Sequence, residues 1–139
     1  MTLDEQNFKR FVDLFGEEIL RIHEGTCRHY TAGDGFMPLS VEVLYRPEPG
    51  VLRFAMAHRW KHPSGDLIAD PDMELVVDTN TKTLSPRSFQ MDLPPVYQTA
   101  ESEELSEMQR NNIAHKLASF LATWLANIKS QGYKDLGTA

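Results

Sequence analysis

Two runs of alternating residues on either side of Glu48-Pro49-Gly50 limit the fold of this chain more than any other feature. Before the tripeptide, Leu39, Val41, Val43 and Tyr45 alternate with Ser40, Glu42 and Arg46. After it, Leu52, Phe54, Met56, His58 and Trp60 share one parity, and Arg53, Ala55, Ala57 and Arg59 share the other. Successive side chains on a strand point to opposite faces, so each run has one apolar face and one mixed face. A short Pro-Gly loop between two such runs predicts an antiparallel hairpin.

The flanks predict what covers that hairpin. Thr2-x-x-Glu5 is a capping-box pattern. Phe8, Phe11, Val12, Phe15, Ile19 and Ile22 then recur at helical spacing, which predicts one amphipathic helix, weakened at Gly16 and stopped near Gly25. Thr26 to Gly35 reads as a loop. Beyond the hairpin, Lys61 to Asp72 reads as a long connection, interrupted by Pro63-Ser64-Gly65 and Asp70-Pro71. Met73, Leu75 and Val77 predict a third strand, and Thr83 to Met91 a fourth, with Pro86 marking it as an edge. Pro94-Pro95 ends the predicted sheet.

Glu101, Glu103 and Glu104 are placed in the first turn of a last helix, where acidic groups favour the dipole. Its buried stripe is Leu117, Phe120, Leu121, Trp124, Leu125 and Ile128, and Gly132 stops it. Burying such a stripe is worth on the order of 10 kcal/mol before entropy. The expected fold class is α+β: an N-terminal helix, a four-stranded antiparallel meander and a long C-terminal helix packed on the sheet. The chain, residues 1–139, is expected to form a single domain.

Composition narrows the function. The net charge of -6 argues against general nucleic-acid binding, which needs cations to displace phosphate counterions. Cys27 is the one cysteine, so no intrachain disulfide can form. Thr2-Leu3-Asp4-Glu5 lacks the basic-then-apolar order of a signal peptide, and no run is long enough to span a bilayer. The expected compartment is the cytoplasm, with no membrane contact.

The stretch His58 to Glu74 concentrates polar chemistry. His58, Trp60, His62, Asp66, Asp70 and Asp72 form the candidate polar site. Four strand residues span about 13 Å, so His58 and His62 cannot share an ion if the strand continues. The acidic positions resemble half of a calcium loop, but Leu75 and Thr81 stand where glycine and glutamate are required. Nucleotide and serine-hydrolase motifs are missing. No catalytic residue, metal or cofactor is assigned. Arg46, Arg53 and Arg59 form a candidate basic strip on the second sheet face, which also carries Leu44, Ala55, Ala57 and Val76.

Gly65-Asp66-Leu67-x-x-Asp70-Pro71-x-Met73, preceded by His58, resembles the signature of uncharacterised bacterial domains of unknown function. Gln90-x-Asp92 and Tyr97-Gln98 are similar to a later element of such domains. Phe120-Leu121-x-x-Trp124-Leu125 resembles the closing helix of a small proteobacterial family. The resemblance implies a bacterial cytoplasmic protein and offers no activity to carry over.

The leading expectation is a non-enzymatic binding or regulatory module acting through protein–protein contacts, with a protein partner or a second copy as in a homodimer. One alternative is a metal-dependent hydrolase using His58, Asp66, Asp70 and Asp72. Another is a small-ligand carrier with a pocket between the sheet and the C-terminal helix, lined by Phe54, Met56 and Trp124.

Overall fold

The computed structural model describes residues 1–138. Helix α1 spans Leu3–Phe15. Its capping box forms as expected: Glu5 N–H donates to Thr2 Oγ1 at 3.1 Å, and Thr2 N–H to Glu5 Oε1 at 2.9 Å. The predicted single helix divides at Gly16, whose φ of 85° no α-helix accommodates. A short 3-10 helix, Glu17–Arg21, continues past it and buries Ile19.

The strands are β1 (Cys27–Thr31), β2 (Leu39–Glu48), β3 (Val51–Lys61), β4 (Leu67–Asp78), β5 (Thr83–Asp92), β6 (Pro95–Thr99) and β7 (Lys134–Thr138). Helix α2, Glu107–Gln131, lies between β6 and β7. All neighbours pair antiparallel, in the order β6-β5-β4-β3-β2-β1-β7. Among the described residues the sheet therefore has seven strands rather than the expected four. Sequence reading missed β1, β6 and β7, each only five residues long. Too few alternations fit in such a span to signal a strand, and β1 and β7 draw their register from each other and from β2.

Further corrections concern proline. The expected connection Lys61–Asp72 is a tight turn followed by strand, with β4 beginning at Leu67. Asp70 and Pro71 lie within β4, opposite the register shift between Ala57 and Arg59 of β3. A bulge interrupts the ladder there, so the N–H that proline lacks is not missed. Pro86 likewise pairs with Leu75 beside a register shift, and β5 has neighbours on both sides, so it is not an edge. A bulge at Leu44 reverses parity in β2, which puts Tyr45 opposite Arg53 and leaves it exposed.

One apolar cluster joins both helices to one sheet face. Phe11 packs edge-on against Phe15 and Phe54 at centroid distances of 5.0 and 5.3 Å. Val41, Val43, Met56, Met73, Leu75 and Val77 complete the sheet side, and Leu117, Leu121, Leu125 and Ile128 the α2 side. Asn7, fully buried, ties the helices together through a 3.0 Å bond from Nδ2 to the Ala118 carbonyl. Trp124 is core as expected, whereas Phe120 remains 40% exposed. The start of α2 is set by a second capping box, Ser106 with Gln109, so Glu101, Glu103 and Glu104 precede the helix. Among the described residues no helix is long and apolar enough to cross a membrane.

Candidate binding surface

Helices cover one sheet face; cross-strand rows of side chains make up the other. Residues paired across strands share a face. One row runs Cys27, Glu42, Ala55, Glu74, Ser88, Thr99, and the next His29, Ser40, Ala57, Asp72, Gln90, Tyr97. The expected basic residues Arg53 and Arg59 stand on this face, but both are paired. Arg59 donates to Ser40 Oγ at 3.1 Å and to Asp72 Oδ2 at 2.9 Å. Arg53 donates to Glu74 at 2.8 Å and grips both oxygens of Glu101 at 2.6 and 3.0 Å.

That clamp holds the Glu101 carboxyl below its usual range and pushes the Arg53 guanidinium up. Burial raises the Asp72 carboxyl, with Arg59 opposing it. Arg46 is not part of the strip: its guanidinium donates to the carbonyls of Leu20 and Ile22. The apolar residues expected here are partly spent, since Ala57 is buried beneath its neighbours. The Cys27 thiol is pushed up by burial and then by Glu42, the opposite of an activated nucleophile.

The expected polar site disperses: Asp70 lies within β4, and the other five residues fall in three places. His58 shares the core face with Leu39 and packs against Trp124 and Tyr133 at 5.3 and 5.4 Å. Its Nδ1 lies 3.4 Å from the Pro38 carbonyl, and burial lowers its pKa. Trp60 and His62 meet with tilted rings at 5.6 Å, and His62 joins Ser64 and Asp66 in a turn network. Asp72 belongs to the uncovered face with Arg59. His58 and Asp72 therefore lie on opposite sides of the sheet. Among the described residues, no three His, Cys, Asp or Glu side chains could hold one ion. Phe54 and Met56 are sealed in the core, and the cavity that Trp124 lines with His58 and Tyr133, about 260 Å³, lies at the C-terminal end of α2.

Sequence reading missed the sheet's outer edge. Among the described residues β6 pairs with β5 alone, and Pro95-Val96-Tyr97-Gln98-Thr99 carries no charge. Val96 pairs with Met91 and stands in parity with Phe89, which meets the exposed Phe120 edge-on at 5.2 Å. Tyr97, on the other face, is 64% exposed. Leu93, in the β5–β6 turn, is exposed as well. The signal was the run Val96-Tyr97, of strong strand preference, hidden behind two prolines.

Residues 6–134 match the model of a protein family described as Domain of unknown function (DUF6908). The chain belongs to that family. No curated protein and no solved structure matches it.

Proposed function

We propose that this domain is a non-enzymatic binding module that engages a partner protein by strand addition at the free edge of β6. One observation carries the reading: the last strand of the sheet is uncharged and exposed, with apolar side chains on both faces. An edge strand presents unpaired N–H and C=O groups, and proteins usually guard such edges with charge. At the opposite edge β7 carries Lys134 and Asp135. On β6, backbone bonds would supply affinity, and the alternating Val96 and Tyr97 would supply specificity. A second copy of the chain is an admissible partner, because antiparallel pairing of two β6 strands satisfies a two-fold axis. A cytoplasmic location in a bacterial cell agrees with this reading. Its support is the single cysteine and the Gly65-Asp66 to Met73 signature.

The double variant Val96→Lys, Tyr97→Lys tests it. Lysines facing a docked strand desolvate charge, so association should weaken at least about tenfold while the melting temperature holds. Light scattering after size exclusion reads self-association, and affinity capture from the native host reads other partners. A monomeric parent whose captured proteins are all retained by the variant would refute the proposal.

A further inference from the structure

Helices α1 and α2 run alongside each other from Asn7 and Ala118 onward, and their later turns enclose a groove of about 390 Å³. Arg10, Asp13 and Leu14 of α1 line one wall, and Leu125, Ala126 and Lys129 of α2 the other. The volume falls within the range of small-molecule sites. The floor is apolar, from Leu14, Leu125 and Ala126.

The charges around the floor are unequal. Asp13 is already engaged, accepting from Lys9 Nζ at 2.9 Å. Arg10 donates one nitrogen to Asn7 Oδ1 at 3.0 Å. Among the described residues, neither Arg10 nor Lys129 forms an ion pair. In a chain with 20 acidic and 14 basic side chains, two such cations border one apolar groove. Lys129, in the last turn of α2, also complements the helix dipole; Arg10, mid-way along α1, does not.

We propose that this groove binds a small amphiphilic carboxylate. The head group sits between Arg10 and Lys129, and the hydrocarbon lies on Leu14, Leu125 and Ala126. Two cations suit a single negative charge. A doubly charged head would meet the partial negative ends of both helices, whose C-terminal halves form the groove. A free molecule is favoured over a peptide, since six residues from two adjacent helices enclose too short a site for a helical segment.

Octanoate is the probe, with 1-octanol and acetate as its uncharged and tail-less counterparts. Titrations are followed by NMR of the full chain, below the micelle concentration. Octanoate should give saturable shifts centred on Leu14, Leu125 and Ala126. Octanol and acetate should each bind at least about fivefold more weakly. Lys129→Gln and Arg10→Gln should each weaken octanoate about fivefold or more, and Arg10→Lys should recover part of the loss. Lys116→Gln, an exposed change on α2 outside the groove, should leave binding unchanged. Lys129 is exposed, so its variant stays folded and keeps the test decisive. Shifts that do not saturate, shifts centred elsewhere, equal binding of octanol and octanoate, or indifference to Lys129→Gln would overturn the proposal.

Discussion

His58 shows how position decides the chemistry of one side chain. In the sequence it is a polar residue beside three aspartates. In the fold it is only 7% exposed, between an indole and a phenol ring. A carbonyl can only accept, so the bond to Pro38 assigns the proton to Nδ1. Burial lowers the pKa below the ordinary value of 6.5, and the backbone carbonyls of Pro38 and Met37, with Asp70 last, only partly oppose it. The folded ring is therefore neutral where the unfolded one begins to take up a proton. The unfolded state then binds more protons, so stability rises with pH through this window. The contribution is complete above 6.5 and declines as pH falls below that value towards the folded pKa. Urea unfolding at a series of pH values between 7.5 and 5 should show a shallower acid-side loss in His58→Gln than in the parent. An identical slope in both would show that the ring carries no such linkage.

Elements are joined here by a few buried polar contacts as well as by apolar packing. Asn7 is the clearest case. It breaks the apolar stripe of α1, yet it is fully buried and reaches the backbone of α2 at Ala118 while accepting from Arg10. Asn7→Ala removes that tether and leaves a small void between the helices. The expected cost is about 1–3 kcal/mol, read as a lower urea midpoint at unchanged slope. No change in midpoint would mean that water replaces the amide without loss. Element boundaries were legible where local chemistry sets them. The Thr2–Glu5 box and the Gly132 cap (φ 75°) stand where residue type alone puts them. The Gly16 division was visible only as a weak point, because φ is chosen by packing Ile19 and Phe15 into the same core.

For the whole molecule, a single apolar cluster spans α1, the 3-10 helix, β1 to β5 and α2. None of these elements can leave without exposing the rest, so heat unfolding should be one cooperative transition with equal calorimetric and van't Hoff enthalpies. Two resolved transitions would contradict a single domain. The same architecture leaves the second sheet face to water, and ion pairs there, two between strands and one to Glu101 beyond β6, balance its charge. This moves the candidate interaction surface from the face, where the apolar residues of the sequence suggested it, to the β6 edge.

Local pattern alone determined the β2–β3 hairpin, the start of α1, the buried stripe through Trp124 apart from Phe120, and the outward parity of Arg53 and Arg59. Each depends on residues close enough in the chain for periodicity to encode it. Only the tertiary structure decided that Cys27–Thr31 and Lys134–Thr138 are strands, that Pro71 and Pro86 sit at bulges, and that Glu101 answers Arg53. It also separated His58 from Asp72 by the thickness of a sheet. These outcomes rest on pairings between distant segments, whose energies exist only once both partners are in place.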